Sequence, residues 1–313
     1  VQVVQRDGAG TRPLRGTIRK AAHTNEYAHK HASHTAVIPR PGPLRVSVKH
    51  QPGPHPAGEW ANMDALVGRL HSSGTRERAA RTMLKEHIRE HQGYVAWSGG
   101  LDSTVVVHLA VAEDPNVPVV WFDSGLEFPE TREYIHDTAD DWGVNLHIIT
   151  PHTPVLEMLA GSGSFHHHAS ATTSSKGGGN LHHLLLQEPS QRAHRLFGAG
   201  EATGVRAEES GGRRALLAPR QGLYTRSDGA EVCCPVWGWQ QQHIRGYLHT
   251  HGIPENPVYQ RLRDLGAPPW AQRVGLLVDG NAAEYGRYTW LRLGWPELWA
   301  DLVEALPRLG EWR

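Results

Sequence analysis

The chain has 313 residues, 39% of them hydrophobic, and 32 basic side chains balance 32 acidic ones. That is enough apolar material for one large α/β domain or two small ones, yet no stretch approaches the roughly 18 to 20 uncharged apolar residues a membrane-crossing helix needs, and no membrane partner is expected. The two cysteines, Cys233 and Cys234, are adjacent, which excludes a disulfide framework and a protein-held four-cysteine iron–sulfur cluster; with no apolar secretory leader at the N-terminus, this predicts a cytoplasmic protein.

The charge balance conceals two unlike parts. Residues 1–57 carry nine Lys/Arg against two Asp/Glu, leaving the remainder acidic by seven. This segment is rich in Pro, Gly and His, has Tyr27 as its single aromatic residue, and shows no sustained apolar period, so it is expected to stay disordered. Two readings stay open for it: a basic arm that holds nucleic-acid phosphates by counterion release, or an extension with no role. Val1 opens the chain and the first methionine is Met63, as expected if the natural start lies downstream.

From Met63 the spacing of Leu66, Leu70, Ala79, Met83 and Ile88 predicts a helix with one buried face. Tyr94–Trp97 is a short apolar run ending in Ser-Gly-Gly, and a helix is expected over Ser103–Glu113, with Val105, Val106 and Val107 inside it. The unit repeats with a strand over Val117–Phe122, a helix over Pro129–Trp142 and a strand over Val144–Ile149. Runs that are apolar on both faces and alternate with helices predict a doubly wound, mostly parallel α/β sheet with helices on both faces. A Gly/Ser/His loop at 161–180, a helix over Leu181–Leu196, and a weaker, glycine-interrupted strand within Leu196–Arg206 come next. Val232–Val236 reads as a short strand and Gln240–Thr250 as a helix, and a C-terminal extension from 266 ends in a helix over Trp295–Leu309 with Leu298, Leu302 and Leu306 on one side.

The chemistry is expected at Ser98-Gly99-Gly100-Leu101-Asp102-Ser103-Thr104, because ligands of open parallel sheets sit at the carboxyl ends of strands. Gly99 and Gly100 let the backbone turn and bring its N–H groups against an anion. Ser103 and Thr104 open a helix whose unpaired N–H groups and dipole favour phosphate. Asp102 beside phosphates calls for a divalent cation, so Mg²⁺ is expected there. The bland alternative is that Ser-Gly-Gly is turn chemistry and Asp-Ser a helix cap. Asp123 and Ser124 end the second strand, where they can bond to an adenine or ribose edge or cap the helix at Pro129. Arg206, Arg213 and Arg214 can bind phosphate or sulfate oxygens, or pair with Glu208 and Glu209.

The loop is neither GxxxxGK[ST] nor GxGxxG. It resembles the pyrophosphate-binding loop of the PP-loop ATP pyrophosphatase superfamily, which has the adenine nucleotide alpha hydrolase-like fold. Within it the chain is most similar to the phosphoadenylylsulfate (PAPS) reductase-like branch, which also holds the small subunit of sulfate adenylyltransferase and the ATP pyrophosphatases of DNA phosphorothioation. Trp121–Thr131, Gly204–Ser210 with Arg213 and Arg214, and Pro235–Trp237 through Ile253–Tyr259 carry the rest of the likeness, over about residues 92–265.

The resemblance implies ATP-dependent adenylation with pyrophosphate release, using ATP and Mg²⁺. Asp102, Ser103 and Arg206 would be catalytic; Ser98, Gly99, Gly100, Thr104, Asp123, Ser124 and Arg213 would bind nucleotide with them. Sulfate or a sulfur-transfer acceptor, as in DNA phosphorothioation, would receive the adenylyl group. The branch's reductases use a cysteine in a Glu-Cys-Gly context near the C-terminus, and Asp279–Arg287 holds no thiol. Sulfonucleotide (PAPS/APS) reduction, a sulfate adenylyltransferase-like subunit, and a non-catalytic nucleotide-binding or DNA-associated subunit are the alternatives. A sulfur-transfer partner protein or a homo-oligomer built around Trp295 and Trp299 is also open. The histidines at 166–168 and 182–183 lack partners at metal-ligand spacing, which argues against a zinc site.

Overall fold

The computed structural model describes residues 57–162, 183–275, 277 and 287–311, with backbone alone for 57–72, 161–162 and 183. The expected tail before 57 and the histidines at 166–168 and 182 lie outside the described residues, as do side chains of Leu66 and Leu70. From Leu70 onward the chain forms one compact unit. Among the described residues no helix is long and apolar enough to cross a membrane.

Six strands form one sheet: β1 (Gly93–Ala96), β2 (Val119–Phe122), β3 (Leu146–Ile149), β4 (Gly200–Ala202), β5 (Leu223–Thr225) and β6 (Glu231–Cys233), in the order β3-β2-β1-β4-β6-β5. All neighbours are parallel except β5, which runs antiparallel on β6. Val95 lies level with Val119 on one side and Ala202 on the other. Alternate residues point to opposite faces. Val95, Trp97, Val119 and Trp121 join a core that includes α1 (Ala57–Glu90), α2 (Leu101–Glu113), α3 (Pro129–Trp142) and α7 (Gln241–Thr250). Tyr94 and Val120 join Ala193 of α5 (Glu188–Phe197) on the opposite face.

Helix α2 carries Val105, Val106, Val107, Leu109 and Ala110, all 0% exposed. β-Branched residues are mediocre helix formers, but burying each valine contributes roughly 1.5–3 kcal/mol and overrides that preference. The remaining helices are α4 (Val155–Ser162), α6 (Gly211–Leu217), α8 (Pro257–Asp264), α9 (Arg287–Gly294) and α10 (Pro296–Ala305).

The doubly wound parallel sheet is as expected; several details differ. β3 is an edge strand, so Ile148 is 43% exposed and the run is not buried on both faces. On α1 Met83 and Ile88 pack against the core as expected, beside buried Ala80, Leu84 and His87, whereas Ala79 is exposed. The weak strand within Leu196–Arg206 shrinks to β4, because α5 continues to Phe197 and the ladder ends where the Thr203 N–H donates to the Cys233 carbonyl. The C-terminal helix starts beside Trp295 as expected but stops at Ala305, where Pro307 opens a separate 3-10 turn; proline disfavours helical backbone in the residue before it. Trp295 is 5% exposed, its ring under the Arg261 guanidinium and its Nε1 bonded to Glu130. It fills this chain's own core instead of offering an oligomer surface.

Candidate functional site

Strand order reverses at β1: the chain first winds out through β2 and β3, then returns to the other side of β1 with β4. The loops leaving β1 and β4 therefore face one crevice, the position at which open parallel sheets hold ligands. A cavity of about 1000 Å³ opens there. Ser98, Gly100, Asp102 and Ser103 line it from the β1 loop, Thr203, Gly204 and Val205 from the β4 loop, and Arg213, Tyr259, Trp270 and Arg273 from farther along the chain.

The β1 loop is held from within and from behind. Ser103 Oγ donates to the Gly100 carbonyl at 3.1 Å and accepts from the Ser98 N–H at 3.3 Å, with Ser98 Oγ 3.1 Å away. Gly99 has φ 71°, and a Cβ there would meet Thr131 Cγ2 at 3.1 Å, so both its conformation and its surroundings suit glycine. Buried Asn256 donates to the Gly99 carbonyl at 3.2 Å and to Thr131 Oγ1 at 3.0 Å. Tyr259 Oη accepts from the Leu101 N–H at 3.4 Å. Gly100 stands at the N-cap of α2 and supplies no side-chain acceptor. No N-cap side chain closes the first turn of this 13-residue helix; Tyr259 takes the Leu101 N–H, and Asp102 and Ser103 of the same turn line the cavity, an arrangement that attracts anions.

Thr104 does not reach the cavity: it is 1% exposed, and its Oγ1 accepts from Trp97 Nε1 at 3.0 Å behind the loop. Arg206 is placed differently from a free anion ligand. Its guanidinium is buried and donates to Asp102 at 2.7 Å, Glu208 at 2.6 Å, the Trp239 carbonyl at 3.2 Å and Gln241 at 2.9 Å. Pairing with Glu208 was one of the two readings of Arg206; its contact with Asp102 ties the β4 loop to α2. Arg213 pairs with Glu209 while lining the cavity, and Arg214 is exposed away from it. Burial pushes the Asp102 carboxyl above its usual range, and Arg206 opposes this.

Asp123 and Ser124 close a turn beside the cavity's strand ends instead of lining it. Asp123 accepts from Arg132 at 2.8 Å and from the Gly125 N–H at 2.9 Å; Ser124 Oγ donates to Glu127 at 2.8 Å. Burial pushes the Glu127 carboxyl up to about 7 against an ordinary 4.5. Between those values the folded chain holds a proton that the unfolded chain has lost, so Glu127 makes stability fall as pH rises from about 4.5 to about 7 and level off above. Glu127→Gln is expected to flatten that part of the melting-temperature profile. Equal slopes for wild type and variant between pH 5 and 7 would contradict the assignment.

Among the described residues no three His, Cys, Asp or Glu side chains converge as a cation site. Asp102, the carboxylate expected to meet Mg²⁺, is engaged by Arg206, so these residues do not fit a protein-held ion. Cys233 and Cys234 are both 0% exposed and do not line the cavity; burial pushes the Cys234 thiol up to about 12.

Four residues of the site escaped sequence reasoning as loop supports or cavity walls: Asn256, Tyr259, Trp270 and Arg273. The Asn-Pro pair at 256–257 carries a signal, since asparagine at an N-cap before proline marks a helix start. Arg273 carries none, being one arginine in a stretch without periodicity.

Residues 92–279 match the phosphoadenosine phosphosulfate reductase domain. The match passes the limit of 265 read from the motifs and takes in Trp270 and Arg273. The chain is 28% identical over 208 residues to a phosphoadenosine 5'-phosphosulfate reductase of Sodalis glossinidius, covering 66% of this chain and 79% of that one. It is 26% identical over 236 residues to an adenosine 5'-phosphosulfate reductase of Mesorhizobium japonicum, covering 74% and 84%. A phosphoadenylyl-sulfate reductase structure from Candida auris, a phosphate complex, aligns with a TM-score of 0.43 at 22% identity, covering 62% and 88%.

Proposed function

The chain belongs to the phosphoadenosine phosphosulfate reductase domain family, an enzyme family, and we propose that within it this protein cleaves the α,β bond of ATP and adenylates an acceptor. The observation that carries the reading is the N-terminus of α2, which has no N-cap side chain, opening onto a cavity of about 1000 Å³ at the point where strand order reverses. An acceptor oxygen, of sulfate or of a sulfur-transfer substrate such as a DNA phosphate, attacks the α-phosphorus. The bond to the α,β-bridging oxygen breaks, and pyrophosphate leaves with its electron pair. Charge grows on that leaving group, and fixed N–H dipoles aimed at it are worth most when they need no reorganisation. Ser103 supplies the rigidity by tying Ser98 to Gly100.

A second reading, binding and reduction of a sulfonucleotide, is favoured by the names of the two reductase relatives. The two readings share a chemistry: each ligand has an adenylyl group whose α-phosphorus bears a further anion, pyrophosphate or sulfate. They part at the next step, because reduction by a thiol route needs a thiolate at the cavity, and both cysteines of this chain are sealed in the core.

ATP labelled at the α-phosphate separates them. Pyrophosphate together with the label carried onto the acceptor, as adenylyl sulfate when sulfate is present, is the expected result, and Ser103→Ala is expected to lower its rate by about 10- to 100-fold through loss of loop geometry. Sulfite released from a sulfonucleotide by a dithiol, with no pyrophosphate from ATP, would replace this reading with the second. Tight ATP binding with neither product would point to a non-catalytic subunit.

A further inference from the structure

Most arginines around the site are already neutralised: Arg132 by Asp123, Arg206 by Asp102 and Glu208, Arg213 by Glu209, Arg261 by Glu130. Arg273 is different. Its side chain is exposed on the cavity wall, and the described residues give its guanidinium no carboxylate within ion-pair distance. Its backbone is fixed. Ala271 and Val274 on either side are 3% and 4% exposed, the Arg273 N–H donates to the Ala271 carbonyl at 2.9 Å, and the Val274 carbonyl accepts from Thr131 Oγ1 at 3.4 Å. Val274 also packs against the β1 loop, its Cγ2 lying 3.7 Å from where a Gly100 Cβ would stand.

We infer that Arg273 is a phosphate-binding residue of this cavity, gripping the anionic group beyond the α-phosphate and so selecting a nucleotide with a terminal pyrophosphate over the monophosphate. The inference rests on the nucleotide reading given above. A guanidinium in a concave wall with no carboxylate among the described residues beside it keeps its planar fork of donors for two phosphate oxygens at once. Its field already reaches the loop, where it favours the ionised form of the Asp102 carboxylate. Arg213 reaches the same cavity from another element, but Glu209 competes for it.

Equilibrium binding of inorganic pyrophosphate, ATP and AMP to the full chain and to Arg273→Gln and Arg273→Lys tests the role. Arg273→Gln is expected to weaken pyrophosphate and ATP by about 10- to 100-fold and AMP by less than about 3-fold, with partial recovery in the lysine variant. Its melting temperature should stay within about 1 °C of wild type, since the residue is exposed. Equal weakening of ATP and AMP, unchanged pyrophosphate affinity, or no pyrophosphate binding by wild type would overturn the inference. ATP turnover by wild type is scored separately: if no pyrophosphate is released, the adenylation reading fails, while the pyrophosphate affinities still decide what Arg273 does.

Discussion

Replacing Gly204 with alanine is expected to cost about 100-fold in nucleotide affinity, although the change adds one methyl group to a loop. A Cβ at Gly204 would stand 2.6 Å from the Ser103 nitrogen and 2.7 Å from the Asp102 carbonyl carbon. These are backbone atoms of the cavity-facing turn, and no rotamer change can move them aside. Relief requires the β4 loop and the start of α2 to part by several tenths of an ångström, which costs roughly 1–3 kcal/mol as overpacking does elsewhere. The same movement shifts the N–H groups that face the cavity, and a grip built on fixed dipoles loses strength steeply with displacement. Gly212→Ala is the control, since its nearest neighbour would be Ser210 Oγ at 3.9 Å. Titration calorimetry with ATP and pyrophosphate reads the difference. Wild-type affinity in the Gly204 variant would mean the two loops are not coupled as the geometry indicates.

This coupling marks the limit of what could be read in the residues. The β1–loop–α2 unit was legible because an apolar run, two glycines and an apolar helix follow one another in 21 residues between Gly93 and Glu113, so local patterns alone define it. Strand β5 was not legible. Its three residues alternate between exposed and half-buried, and no run of that length carries a period. The loop residues Ser98, Gly100, Asp102 and Ser103 line the cavity as the motif suggested. What Arg206 touches was a different matter, because Asp102 lies 104 positions earlier. An arginine after a strand looks the same in sequence whether it meets a substrate anion or a carboxylate of its own fold. Asn256 and Tyr259 belong to the same class: their contacts with Gly99 and Leu101 bridge more than 150 positions. Arg273 stands out because no carboxylate among the described residues pairs with it, a property that only the folded arrangement reveals.

Arg206→Met is expected to destabilise the fold by about 3 kcal/mol, lowering the melting temperature by roughly 10 °C. The guanidinium side chain is 4% exposed and serves two carboxylates, so its removal leaves Asp102 without a counter-charge where burial already disfavours ionisation. The figure sits at the low end for a broken buried pair, because Asp102 and Glu208 keep 24% and 42% side-chain exposure and water screens them in part. Pairing Arg206→Met with Asp102→Asn removes the stranded charge, and this double variant is expected to melt several degrees above the single one. A direct ligand of phosphate behaves in the opposite way: its loss spares the melting temperature of the free protein and lowers affinity alone. Melting curves taken without and with saturating pyrophosphate therefore sort the arginines by role. Arg206→Met should shift the first curve and Arg273→Gln only the increment between the two. If Arg206→Met instead melts like wild type and merely loses its response to pyrophosphate, the buried pair with Asp102 is not what holds the β4 loop against α2.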